Sequence, residues 1–237
     1  MSHDNPIYCA IDTPDLARAE GLAAALSGTV GGLKIGMEFF YAHGATGYQA
    51  LARHNVPIFL DLKLHDIPNT VAAAVRAVTP LQPALLNVHA AGGPAMMQAA
   101  AEAAKQAADK GLRVPTMLAV TVLTSLAESD LHAIGVSGSP QEQVLRLAHL
   151  AKANGMDGVV CSAHEIAALR AELGPDFKLI VPGIRPAGST THDQKRVMTP
   201  EDAQQAGADI LVIGRAITEA DDPAAVARAI ADGLAAQ

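Results

Sequence analysis

Tryptophan is absent from this 237-residue chain, and tyrosine and phenylalanine supply only three and four residues. With half of the residues hydrophobic but aromatic anchors this scarce, alanine and aliphatic side chains must build the core, which suits amphipathic helices packed closely against a sheet. Cysteine is limited to Cys9 and Cys161, each inside an apolar strand-like run, and both read as buried free thiols in a reducing compartment. Positive charge is in deficit. The 17 Lys and Arg against 24 Asp and Glu give a formal net charge of −7, which argues against a nucleic-acid surface or a polybasic membrane contact. An anionic substrate would have to be held by a local basic cluster. No apolar run reaches membrane-spanning length, and the first residues, Met1-Ser2-His3-Asp4-Asn5-Pro6, carry neither a basic n-region nor an apolar h-region. A cytoplasmic protein is therefore expected. The nine histidines show neither HExxH nor zinc-type Cys/His spacing, and no GxGxxG or P-loop stretch follows a strand, so neither a metal nor a nucleotide cofactor is indicated.

Short apolar runs alternate with longer helical patterns from end to end, as in a parallel βα protein. Eight strands are expected, at 7–11, 32–35, 58–62, 85–89, 116–120, 158–161, 178–181 and 210–213. Thr13-Pro14, Thr199-Pro200 and Asp222-Pro223 each place a capping oxygen before a proline suited to the first helical position. In the last helix Val226, Ile230 and Leu234 share one face. Eight βα units in one domain, residues 1–237, predict an α/β fold closed as a (β/α)8 TIM barrel, with a doubly wound open sheet as the alternative. A barrel gathers its chemistry at the C-terminal ends of its strands. That is where Asp12, Lys34, Asp61, Lys63, His89, Thr121, Thr124, Arg185 and Arg215 fall.

The densest signal is Phe59-Leu60-Asp61-Leu62-Lys63-Leu64-His65-Asp66-Ile67-Pro68-Asn69-Thr70. It opens as a buried strand and closes as a helix entrance at Pro68. Strand alternation puts Asp61 and Lys63 on one face and Leu60 and Leu62 on the other. Asp66 adds a second carboxylate near the same ammonium. Taken singly, Asp66 could be a helix N-cap and Lys63 a solvated loop residue. Clustered as Asp-x-Lys-x-x-Asp, they predict a charged active-site array.

A second signal lies at the far end of the chain. Ile213-Gly214-Arg215 ends the eighth strand, where Gly214 allows close backbone approach and Arg215 offers bidentate donors to a phosphate. The connection 182–198 is too long and too interrupted by Gly and Pro for a minimal βα turn, and Arg185, Gln194, Lys195 and Arg196 suit it to cover an anion. Barrels often bind phosphate at the loops after strands seven and eight.

These stretches resemble the orotidine 5′-phosphate decarboxylase family, in its bacterial branch, along the whole chain. The resemblance is carried by Ala10-Ile11-Asp12, Leu33-Lys34-Ile35-Gly36, Asp61 to Thr70, Asn87-Val88-His89, Val120 to Ser125, Pro182-Gly183-Ile184-Arg185-Pro186 and Ile213-Gly214-Arg215. It implies a carboxy-lyase that converts orotidine 5′-monophosphate to UMP in pyrimidine biosynthesis without cofactor or metal. Lys63 would protonate C6 of the pyrimidine, flanked by Asp61 and Asp66, with Lys34 completing a Lys-Asp-Lys-Asp chain. Asp12 and Lys34 would hold the ribose hydroxyls, Thr124 the pyrimidine edge, and Arg185, Gln194, Gly214 and Arg215 the phosphate. Asp66, Ile67 and Thr70 would reach the active site of the other subunit, which implies a homodimer with shared sites. Two competing readings are a metal-dependent sugar-phosphate decarboxylase or aldolase on the same barrel, and a non-catalytic phosphate-ligand sensor.

Overall fold

The computed structural model describes residues 5–186 and 198–236. Eight parallel strands follow one another in space in chain order, and the eighth closes on the first. They are β1 (Ile7–Ile11), β2 (Gly32–Gly36), β3 (Ile58–Leu64), β4 (Leu85–His89), β5 (Thr116–Val120), β6 (Gly158–Val160), β7 (Lys178–Pro182) and β8 (Ile210–Ile213). Pairing of Tyr8 with Val212 joins the two ends and excludes the open-sheet alternative. Strands two, three and seven run one or two residues past their expected ends, and strand six stops one residue short at Val160. The extensions matter because they carry the polar C-terminal ends of β2 and β3 into the barrel mouth.

Alternation along each strand divides the core in two. Ile58, Leu60 and Leu62 of β3 face the surrounding helices, in one cluster with Leu33 and Ile35 of β2. Phe59 faces the barrel axis, where it joins Tyr8, Leu85, Leu118, Ile180 and Val212. The Tyr8 ring fits only because its neighbour on β2 is Gly32, where a Cβ would stand 2.1 Å from the ring. This plug fills the lower barrel and leaves the upper layer to polar side chains.

The helices that cover the strands are α1 (Leu16–Leu26), α2 (Met37–Ala52), α3 (Pro68–Val78), α4 (Pro94–Lys105), α5 (Glu128–Ala133), α6 (Pro140–Ala153), α7 (Ile166–Leu173), α8 (Pro200–Gln205), α9 (Arg215–Thr218) and α10 (Pro223–Ala235). Small side chains let them sit close: α4 buries Met96, Met97, Ala100, Ala101, Ala103 and Ala104. Thr199 and Asp222 cap α8 and α10 as expected, accepting from the Asp202 and Ala225 N–H groups at 3.1 and 2.9 Å. Ile230 and Leu234 are buried on the inner face of α10, with Val226 packed beside them. Thr13-Pro14 behaves differently. Asp15 is the N-cap of α1, taking the Arg18 N–H at 3.1 Å, and the Thr13 hydroxyl instead accepts the Asp15 N–H. A charged acceptor one turn ahead of the apolar face of Ala19, Leu22, Ala23 and Leu26 competes successfully with the threonine. Among the described residues no helix is long and apolar enough to cross a membrane.

Candidate active site

Three neighbouring strands bring four charged groups into a row. Lys34 lies on the inward face of β2, in register with Ala10 of β1 and Phe59 of β3, and Asp61 stands one pleat higher on β3. Asp12 Oδ1 is 3.0 Å from the Lys34 ammonium, which is 3.6 Å from Asp61 Oδ2, while Asp61 Oδ1 is 2.7 Å from the Lys63 ammonium. Signs alternate along the row. Gly36 keeps its own position clear, since a Cβ there would crowd the Lys34 ammonium at 3.2 Å.

The row descends from solvent into the barrel: the Asp12 side chain is 61 % exposed and that of Asp61 is 11 % exposed. Burial alone pushes the Asp61 carboxyl up. The ammonium groups of Lys34 and Lys63 and the hydrogen bonds from Lys63 and Asn87 outweigh it and hold the carboxyl below its ordinary value. Asp61 is thus a fixed anion between two cations at neutral pH. Buried ion pairs of this kind contribute little net stability, because desolvation offsets the attraction. An array that stability does not require is the kind of feature found at a reacting centre.

Lys63 reaches Asp61 by an unexpected route. Alternation predicts an extended residue, yet Lys63 has φ 51°, in the left-handed region where a non-glycine residue is strained by about 1–3 kcal/mol. The cause is a bulge in the β3–β4 ladder, where Leu60 pairs with Leu86 and Leu64 with Val88, so that residues 61–63 stand against Asn87 alone. Asn87 is fully buried. Its amide oxygen accepts the Lys63 N–H at 2.8 Å and its NH2 group donates to Asp61 Oδ1 at 2.6 Å. The sequence reading assigned Asn87 no role. The available signal was an amide at an inward position of the run Leu85-Leu86-Asn87-Val88.

Asp66 is not part of this row. It is exposed, makes no ion pair with a described residue, and its carboxylate accepts the N–H of Ile67. The expectation of a second carboxylate beside Lys63 is therefore not met within one chain, where the Asp66 carboxylate is taken up by the next residue's N–H at the entrance to α3. Ile67, not Asp66, occupies the N-cap position of α3, with Pro68 at the first helical position. Ile67 is 67 % exposed, and Thr70 is exposed on the same first turn. His65 and His89 lie against each other with ring centroids 5.4 Å apart. Burial, then the neighbouring His65 and Lys63, push the His89 imidazole below its ordinary value.

An open cleft of about 220 Å³ is lined by Lys34 and Asp12 and by Arg185, Gly214 and Arg215. The two ends of the long connection after β7 meet beside it, the Arg185 N–H donating to the Met198 carbonyl at 3.2 Å. A Cβ on Gly214 would meet Ala10 and Asp12 at 3.5 and 3.9 Å, ordinary contact distances. Packing does not demand a glycine there, and its lack of a side chain keeps the cleft wide. Gln194 falls outside the described residues. Thr124 is exposed in the connection after β5 and does not line the cleft. Among the described residues no group of three or more His, Cys, Asp or Glu side chains is placed to hold a metal ion.

Fold and site together define a (β/α)8 barrel enzyme with a lysine–aspartate array whose Asp12 and Lys34 line an arginine-flanked cleft. Residues 5–230 match the sequence profile of the family described as Orotidine 5′-phosphate decarboxylase / HUMPS family. The chain belongs to that family. It is 58 % identical over 229 residues to the orotidine 5′-phosphate decarboxylase of Rhodospirillum rubrum, covering 96 % of this chain and 93 % of the relative. With the enzyme of that name from Paramagnetospirillum magneticum it shares 53 % identity over 224 residues, 94 % and 95 % of the two chains. The crystal structure of orotidine 5′-phosphate decarboxylase from Lactobacillus acidophilus superposes with a TM-score of 0.87 at 37 % identity, covering 98 % of this chain and 99 % of that one.

Proposed function

We propose that this chain decarboxylates orotidine 5′-monophosphate to UMP in the cytoplasm, without metal or cofactor, and that Lys63 supplies the proton. The observation that carries the reading is the row Asp12, Lys34, Asp61, Lys63, with the Lys63 ammonium held at 2.7 Å from a carboxylate kept ionised. As the bond from C6 to the carboxylate breaks, carbon dioxide leaves and the electron pair stays on C6 in an orbital with little resonance help. A fixed cation aimed at that carbon stabilises the charge as it develops, and its proton completes the C6–H bond. Asp61 holds the ammonium at 2.7 Å and limits its travel.

The substrate phosphate belongs at the other end of the cleft, against Arg185, Gly214 and Arg215, with Gln194 as a further ligand from the long connection. Asp12 and Lys34 take the ribose hydroxyls, and Thr124, which lies outside the cleft, would have to reach the edge of the base from the connection after β5. The reading includes a homodimer with shared sites. Its support is that Asp66, Ile67 and Thr70 are exposed, Ile67 with a large apolar side chain, and that none of them lines the cleft of its own barrel.

Loss of orotate absorbance on mixing the purified protein with orotidine 5′-monophosphate tests the reading, with a chelator present throughout. Full turnover in chelator is expected, and none from Lys63→Ala. Activity that vanishes with chelator and returns with a divalent cation would favour the metal-dependent sugar-phosphate chemistry of the same barrel. Binding without turnover would make the protein a sensor.

A further inference from the structure

We propose that Asn87 is a positioning residue for decarboxylation, its one amide fixing both the backbone of Lys63 and the carboxylate of Asp61. The inference rests on the reading of Lys63 as the proton donor. Three residues of β3 face one residue of β4 at the bulge, so the ladder cannot supply every backbone group of 61–63 with a strand partner. The Lys63 N–H is taken up by the Asn87 side chain, at 2.8 Å. A buried N–H without an acceptor is strongly disfavoured, so this bond is what makes a left-handed Lys63 tolerable.

The direction of the amide is dictated by its neighbours. The Lys63 N–H can only donate and the ionised Asp61 carboxylate can only accept, so the amide oxygen must face the first and the NH2 group the second. Asp61 Oδ1 then receives two donors, Asn87 Nδ2 at 2.6 Å and Lys63 Nζ at 2.7 Å. The carboxylate is locked in rotation, and with it the point to which the ammonium is drawn. No other common side chain of this size offers a donor and an acceptor in one plane. Leucine offers neither, and aspartate offers both only when protonated.

Asn87 touches neither the cleft nor, by its burial, the substrate. Its loss should therefore act through Lys63. Once Asp61 can rotate and Lys63 can relax from φ 51°, the ammonium moves relative to C6, and misplacement by an ångström costs about a hundredfold in rate. The charged and titratable groups around the amide are Asp61 and Lys63 on β3, Lys34 on β2, His89 further along β4 and His65 after β3.

Two variants and a control test this in the full-length protein. Asn87→Ala is expected to lower kcat by about a hundredfold while the dissociation constant for UMP stays within about threefold of wild type. Asn87→Asp is expected to work at low pH, where its carboxyl is protonated and donates to Asp61, and to fail as pH rises and it ionises beside that carboxylate, over a range in which wild-type activity does not fall. A kcat for Asn87→Ala near wild type, or losses of kcat and UMP affinity in equal measure, would overturn the proposal. So would an Asn87→Asp profile parallel to wild type, and that comparison decides if Asn87→Ala does not fold. Lys63→Ala is the control. If it retains activity, the proton-donor reading fails and takes this proposal with it, whereas an inactive Lys63→Ala beside unimpaired Asn87 variants removes Asn87 alone.

Discussion

Asp61 holds the ammonium of Lys63, two residues further along the same strand, at 2.7 Å, although Lys63 has left the extended conformation that strand spacing implies. The pair is therefore made by two devices acting together, an inward carboxylate on β3 and a bulge that lets the following lysine bend back toward it. Each device has its own measurable consequence.

The backbone of Lys63 is under strain that its side chain does not relieve. Lys63→Gly and Lys63→Ala both remove the ammonium, but only glycine occupies the left-handed region without steric cost. Lys63→Gly should be the more stable variant by about 1 kcal/mol in urea unfolding, and both should be inactive. Equal stability of the two would mean that φ 51° is not maintained in solution.

Acid should reveal the charge on Asp61. Its carboxyl lies below the ordinary value in the folded protein because two ammonium groups and two hydrogen bonds outweigh burial. A lowered folded pKa means that the unfolded chain binds the proton more tightly, so the stabilisation is fully present above the ordinary carboxylate value and is lost as pH falls through the lowered one. In urea titrations the stability gap between wild type and Asp61→Asn should stay level from pH 7 to about 5 and close only below the ordinary carboxylate range. A gap that closes already between pH 7 and 5 would mean a raised carboxyl, against the present electrostatics.

If Arg215 holds the phosphate, its removal should matter only to substrates that carry one. A charge-assisted hydrogen bond contributes about 1.5–3 kcal/mol, so Arg215→Ala should lower kcat/KM for orotidine 5′-monophosphate by about tenfold to a hundredfold. The phosphate-free nucleoside should react at a rate unaffected by the substitution. Equal slowing of both substrates would assign the effect to damage at the barrel mouth.

Shared sites predict rescue between two dead variants. In a hybrid of Lys63→Ala and Asp66→Ala subunits, one site carries both substitutions and the other carries neither. Random reassembly should restore about a quarter of wild-type activity per subunit, since half of the dimers are hybrids with one intact site each. A purified hybrid without activity would show that Asp66 does not serve its neighbour's site.

Much of this architecture is local in origin and was legible for that reason. Each strand is a short apolar run bounded by turn residues, and the alternation of Ile58, Leu60 and Leu62 against Phe59 and Asp61 already assigns the two faces of β3. Thr199, Asp222 and Pro68 mark their helices through bonds and ring geometry that span a few residues. The nearness of Lys34 to Asp61 also follows once parallel neighbours are assumed, because adjacent strands place their inward side chains side by side.

The amino-acid sequence by itself therefore determined the eightfold alternation, the inward placement of Asp61, and the grouping of polar residues, Lys34 among them, at strand ends, all of which depend on period and order. Only the tertiary structure decided the left-handed turn of Lys63, the bonding of Asn87 to it and the separation of Asp66 from the charged row. Asn87 is 24 residues from Lys63 and 26 from Asp61, and its amide reaches them only after β3 and β4 have paired with three residues opposite one. No local preference favours a strained lysine. It persists because the closed barrel leaves its N–H a single buried acceptor, and that acceptor belongs to another strand.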